Sequence, residues 1–428
     1  LDNSKIYTIY VKVSDELYNE RIVKLENIKL TTIEKPLIKL NRTTLTVENV
    51  ILNVSNLKNF NLECKKTSDT AFASCQTPMT ITENTSLDFR LTDGINHSEV
   101  TTIVIDNIDN GIAKYLIKAQ GGVDTIIAKK SPEFSVTSTT DEGMYTASDD
   151  YGTSYYYRGA VTNNNVIFAG YCWKVIRING NGTTRMIYNG TPTNGQCLAS
   201  GLETQIGKLA FNTTYNDNAY IGYMYGTKAS STYDLTHENI NSSTIKTAID
   251  TWYNTNLINF TDKISDTEFC SDRSIADNAG TWSSNDTAKG YGKNYTVYGA
   301  YNRTVAQDLP ILTCQNQHDR FTVSDKTIGN GNLTYPVGLI TIDEVEMAGV
   351  NWKTNSNTKF YLYTGSYYWT MSPFHFNSTY ASNFSVSNGN FNGNYVGGIR
   401  GIRPVINLKV GIPVTSGDGL KTNPFVIS

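Results

Sequence analysis

The stretch that most constrains this chain is 367–408, YYWTMSPFHFNSTYASNFSVSNGNFNGNYVGGIRGIRPVINL. From Asn383 to Ser387 polar and apolar residues alternate, so Phe384 and Val386 are expected on one face of a strand and Asn383, Ser385 and Ser387 on the other. Asn388-Gly389 tolerates positive φ, a strong hairpin signal, and a second strand is expected to begin near Phe391. One face of such a hairpin must be core. The other carries Asn, Ser, Thr, Tyr and His almost to the exclusion of charge. After Gly397 the composition turns to Ile-Arg-Gly-Ile-Arg-Pro-Val-Ile-Asn-Leu, which reads as a buried strand whose arginines pair with acids or cap carbonyls. An apolar frame under a neutral surface of amides and phenols suits recognition better than chemistry.

At 428 residues the chain is long enough for more than one core. Lys and Arg total 36 against 39 Asp and Glu, which leaves no electrostatic case for nucleic acid or an anionic membrane. No apolar run approaches the ~20 residues of a membrane-spanning helix, so no membrane insertion is expected. The opening Leu-Asp-Asn is neither Met nor a basic-apolar leader, as expected of a piece cut from a longer protein. Six cysteines, Cys64, Cys75, Cys172, Cys197, Cys270 and Cys314, contain no Cys-x-x-Cys pair, so zinc spacing is absent and structural disulfides fit the even count. Pairing neighbours would join 64–75, 172–197 and 270–314. The sequence alone does not choose among the connectivities, and six buried thiols of a cytosolic protein are the alternative.

Along the chain, Ile6-Tyr-Thr-Ile-Tyr-Val-Lys-Val and Arg21-Ile-Val-Lys-Leu-Glu-Asn-Ile alternate as two strands around a turn. The pattern returns later: Val11-Lys-Val-Ser-Asp corresponds to Phe89-Arg-Leu-Thr-Asp, and Leu25-Glu-Asn-Ile to Ile105-Asp-Asn-Ile. This internal repeat predicts that 1–30 is the last hairpin of one β-module and that 31–110 is a complete copy. In pattern and length that copy resembles a bacterial immunoglobulin-like sandwich, a spacer, the alternative being one irregular β-domain over 1–110. Residues 111–150 read as a linker with two helical turns from Ile112 to Ala119 and a loop from Ser135 to Thr140. Strands resume at Tyr155, and Val166–Tyr188 contains a hairpin around Asn179-Gly-Asn-Gly. Ser243 caps a helix with Ile245, Ile249, Trp252 and Tyr253 on one stripe, and Thr341 with Glu344 forms a capping box.

Six ordered segments carry a resemblance: Asp149-Asp-Tyr-Gly-Thr-Ser, Trp173-Lys-Val-Ile-Arg-Ile, Thr247-Ala-Ile-Asp-Thr-Trp-Tyr, Val337-Gly-Leu-Ile-Thr-Ile-Asp-Glu, Tyr368-Trp-Thr-Met-Ser-Pro and Gly401-Ile-Arg-Pro-Val-Ile-Asn-Leu. Together they resemble surface proteins of Gram-positive gut bacteria, similar to the variable proteins of diversity-generating retroelements and to the formylglycine-generating branch of the C-type lectin fold. The resemblance spans roughly 140–428. It implies an α+β C-type-lectin-like ligand-binding domain over 151–428 behind the all-β immunoglobulin-like sandwich, on the outside of a bacterial cell. The expected ligand face is Trp369, His375, Asn377, Ser378, Tyr380, Asn383, Ser385, Asn390, Asn392, Asn394 and Tyr395, set in a frame of Phe374, Phe376, Phe384, Val386 and Phe391. In diversified members Asn codons become Asn, Ser, Thr, Tyr, His or Asp, the residue types found here, although the whole chain is rich in Asn and Ser.

Ligand recognition or adhesion is thus the expected function, without a cofactor, toward a protein or glycan on another cell, a phage or a host surface. The competing readings are an enzyme of the formylglycine-generating or cell-wall glycan-processing type and a purely structural surface module. No catalytic or metal residues are expected. Calcium-dependent sugar binding needs oxygen-ligand triplets, Glu-Pro-Asn with Trp-Asn-Asp, and neither occurs in 369–408. Formylglycine generation uses closely spaced cysteines near the end of the fold, whereas no Cys follows Cys314. His97, His237, His318 and His375 stand far apart in sequence with no metal or nucleophile motif around them. Glu344 and Glu346 read as helix-start carboxylates, and Asp149-Asp150 as a solvated turn or a cation ligand. Trp173 and Trp252 read as core, and Trp369 as the tryptophan placed to stack on a ligand.

Overall fold

The computed structural model describes residues 6–29, 32–43, 46, 49–109, 111–276, 289–353 and 356–427. Strands take up 36% of the chain and helices 16%, a β-rich protein. Two compact units divide it, Leu1–Ile108 and Asp109–Ser428, so the stretch 111–150 belongs to the second unit rather than standing between two.

In the first unit Ile6–Ser14 and Glu20–Lys29 pair antiparallel around a turn where the Asp15 carboxylate accepts from the Leu17 and Asn19 amides. No further strand joins this pair among the described residues, and Val11, Val13, Val23 and Leu25 stay 40–57% exposed. The hairpin Thr85–Thr92 with Thr101–Ile105, its counterpart in the repeat, is instead part of a four-stranded sheet with Asn61–Lys66 and Ala73–Ser74. A three-stranded sheet of Ile38–Leu40, Val50–Val54 and Met79–Ile81 accompanies it. Val50, Leu52, Leu62, Phe89, Leu91 and Ile105 form a shared core, and a Cys64–Cys75 disulfide joins the strand Asn61–Lys66 to its edge.

The second unit opens with the helix Ile112–Ala119, whose Ile112, Leu116 and Ile117 are buried and which gives way to Gly121 and Gly122, both at positive φ. Strands then begin earlier than expected, at Asp141–Asp149, which pairs with Gly152–Gly159. That hairpin joins an eight-stranded sheet with Asn165–Phe168, Tyr171–Ile178, Thr184–Tyr188, Val405–Leu408, Val414–Ser416 and Phe425–Ile427. The chain's last strand returns parallel to Asn165–Phe168. Disulfides Cys172–Cys197 and Cys270–Cys314 form within this unit, so neighbour pairing holds for all six cysteines.

Two helices behave as their sequence signals require. Ser243 accepts from the Lys246 amide to cap Thr244–Asn256, and Trp252 packs against Tyr171, Trp173 and Tyr188 at 5.5–6.4 Å. Thr341 and Glu344 form the capping box of Ile342–Met347. The Glu344 carboxylate also anchors a buried ionic network, taking Arg177 at 3.0 Å and Arg185 at 2.6 Å. Asp149 pairs with Arg177 at 2.7 Å and Asp150 with Arg320 at 2.9 Å. The Asp149-Asp150 pair is thus neither a solvated turn nor a cation site, because the buried Arg177 and the half-buried Arg320 claim the two carboxylates.

A six-stranded sheet completes the unit. Its order is Lys208–Ala210, Ile399–Gly401, Tyr368–Phe376, Ala381–Val386, Phe391–Tyr395, with Thr296–Val297 added beside Tyr368–Phe376. Arg400 and Arg403, expected to meet acids or cap carbonyls, do the latter. Arg403 donates to the Tyr188 and Leu362 carbonyls and to the Asn189 side chain, and Arg400 to the Ile399 carbonyl and the Asn394 side chain.

Candidate functional site

The hairpin of Ala381–Val386 and Phe391–Tyr395 forms where the alternation places it, in the register Val386↔Phe391, Ser385↔Asn392, Phe384↔Gly393, Asn383↔Asn394, Ser382↔Tyr395. Gly389 alone of the turn pair takes positive φ, at +84°. A Cβ there would also lie 2.5 Å from the Asn357 backbone nitrogen, so the position admits glycine for two reasons. Phe384 sits among Phe374, Phe391 and Trp352, with ring centroids 4.9–6.4 Å away. Gly393 leaves room for that cluster, since a Cβ on it would stand 2.0 Å from the Phe374 ring.

The opposite face is where expectation and structure part. Every residue of Ala381–Val386 is buried, Asn383 and Ser385 completely so. Ser385 faces Trp369 across the strands, and Trp369, itself fully buried, lies edge-on to Phe211 and donates its indole N–H to the Leu209 carbonyl at 3.0 Å. Residues 211–221, which follow the sheet's edge strand Lys208–Ala210, therefore cover what a one-sided sheet would have left open. Neither polar atom of Asn383 has a hydrogen-bond partner. His375 is also buried, beside Val297, and burial pushes its imidazole down to about 4, so it is neutral at physiological pH. Trp369, His375, Asn383 and Ser385 are thus interior residues of this unit rather than a ligand face.

What remains open is narrower. The Asn377 side chain accepts from the Thr379 and Tyr380 amides at 3.0 and 2.9 Å, holding a turn in which Ser378 takes φ +71° and is exposed. Asn390 and Asn392 bond to each other and to Ser387, and the Asn394 amide donates to Ser385 while its carbonyl accepts from Arg400 at 2.7 Å. These half-buried amides hold the hairpin's shape and leave little capacity for a ligand. Tyr380 and Tyr395, 37% and 42% exposed, stand edge to face at 5.8 Å. A third ring that the sequence did not single out, Tyr215, joins Tyr395 at 5.3 Å and is 41% exposed. Its loop is tied to the strand by the Ala381 amide donating to the Tyr215 carbonyl at 2.7 Å. Nothing local in Asn212-Thr-Thr-Tyr announces this, because the contact bridges segments far apart in the chain. The Tyr395 ring also lies over Gly397, where a Cβ would come within 2.6 Å of it.

The site is therefore three half-exposed phenols in contact with one another at the end of the hairpin. Among the described residues no cluster of His, Cys, Asp and Glu could hold a metal ion. Compared with known proteins, the chain matches no family model, and no curated protein or solved structure is significantly similar to it.

Proposed function

We propose that this is an extracellular ligand-binding or adhesion protein of a bacterial surface, whose second unit presents a recognition face around Tyr215, Tyr380 and Tyr395. The observation that carries the reading is that tyrosine cluster. Half-exposed amphipathic rings supply large contact area at low entropic cost, and the strand Ala381–Val386 beside them is buried on both faces and so preorganised. A secreted location is supported by three disulfides, bonds that persist in oxidising compartments. That all six cysteines are tied in such bonds favours recognition over a thiol-dependent oxidase.

The immunoglobulin-like reading of 31–110 is supported by the division of its strands between a three-stranded and a four-stranded sheet around one core. The C-type-lectin-like reading of 151–428 is supported by a terminal strand that returns to the start of the unit and a second sheet carrying the hairpin. Diversification of the exposed positions by a retroelement is part of the proposal. A near-copy of this coding segment beside a reverse-transcriptase gene supports it, and a genome without one removes it.

The test is a protein and glycan array probed with the whole chain. Retention by a defined partner, lost at least tenfold in Tyr380→Ala/Tyr395→Ala with an unchanged melting temperature, is the expected result. Full retention by that variant refutes the face.

A further inference from the structure

A second candidate site lies on the same unit, beyond the tyrosine cluster. The helix Thr244–Asn256 turns Thr244, Thr247 and Thr251 toward an open groove of about 670 Å³, within the range of small-molecule sites, and the loop carrying Asn212 and Thr213 forms its other wall. Tyr225, backed edge-on by Tyr220 at 5.3 Å, supplies an aromatic side. No Asp, Glu, Lys or Arg lines this groove among the described residues.

The hydrogen-bonding polarity of the walls is specific. The Thr247 and Thr251 hydroxyls donate back to the Ser243 and Thr247 carbonyls at 3.2 and 2.8 Å, so each hydroxyl proton is committed and each oxygen is left to accept. Thr244 donates to the Asn212 side-chain carbonyl at 3.3 Å and accepts from the Thr213 amide at 3.1 Å. Asn212 itself is only 4% exposed and its side-chain carbonyl is taken by Thr244, so it fixes the groove's wall rather than facing a ligand.

We infer that this groove binds a short neutral oligosaccharide. A polyhydroxylated ligand supplies O–H donors for the Thr247 and Thr251 oxygens and acceptors for the Thr213, Thr214 and Ser242 hydroxyls that share the lining, while the C–H face of a pyranose packs on Tyr225. An anionic ligand meets no cation here to offset the loss of its hydration. The site is independent of the tyrosine face, since none of Tyr215, Tyr380 and Tyr395 lines it.

The whole chain, presented to immobilised neutral, sialylated and sulfated oligosaccharides, tests this directly. Neutral members are expected to be retained and anionic ones not. Thr247→Ala/Thr251→Ala, at two exposed helix positions where folding is little affected, should weaken retention at least tenfold. Ala248→Trp, which fills the groove, should abolish it, and Tyr380→Ala/Tyr395→Ala should leave it unchanged. Absence of any neutral ligand, preference for the anionic ones, binding that survives both groove variants, or loss in the tyrosine variant overturns the inference.

Discussion

Among individual residues, burial decides role more than chemical type does. Trp369 and Tyr395 are both aromatic and close in sequence, yet Trp369 has no exposed surface and a satisfied indole whereas Tyr395 is 42% exposed. Trp369→Ala should therefore cost about 3–5 kcal/mol of stability in denaturant titrations, and Tyr395→Ala within about 0.5 kcal/mol of nothing. Glu346 shows the same principle with charge. It is fully buried, neither carboxylate oxygen has a partner, and burial, with Asp343 and Asp308 nearby, pushes its pKa up to about 10. Between the ordinary value and about 10 the folded chain holds a proton that the unfolded chain has released, so this group makes stability fall as pH rises. Glu346→Gln should flatten that slope and raise the melting temperature at pH 8, measured against the parent from pH 5 to 9. Glu344, paired with two arginines, differs: Glu344→Gln leaves the buried Arg185 without its counter-ion, while Arg177 keeps Asp149, and should destabilise by roughly 3–5 kcal/mol.

At the level of the element, the hairpin is specified by its glycines as much as by its phenylalanines. Gly393→Ala forces a methyl into the Phe374 ring and should destabilise by about 1–3 kcal/mol, seen as a lower denaturation midpoint. Gly397→Ala meets only the mobile end of Tyr395, so it should leave the melting temperature in place while displacing that ring and weakening ligand capture. The strands, the turn and the inward Phe384 were legible because period-two alternation and Asn-Gly are local signals. Alternation separates two faces but does not say that either is wet. Asn383 and Ser385 were misplaced because residues 211–221, more than a hundred positions earlier, supply the layer that covers them. The same non-locality hid Tyr215 and turned Asp149 and Asp150 from solvated carboxylates into partners of Arg177 and Arg320. Helix caps at Ser243 and Thr341, which depend on a few neighbouring residues, were read correctly for the opposite reason.

For the molecule as a whole, cross-links carry unequal weight. Cys270–Cys314 closes a separation of 44 residues and Cys64–Cys75 one of 11. On chain-entropy grounds, Cys270→Ala/Cys314→Ala should lose about 4 kcal/mol and Cys64→Ala/Cys75→Ala about 3 kcal/mol, each read in the calorimetric transition of its own unit. The second unit has one more feature with a mechanical meaning. Asp109, at its beginning, accepts from the Gly411 amide, and Phe425–Ile427 lies parallel to Asn165–Phe168. Tension applied between residues 109 and 427 would load this clasp in shear, and the tyrosine-bearing hairpin would sit outside the path of the force. A grip on a partner could thus hold its shape while the chain is being pulled.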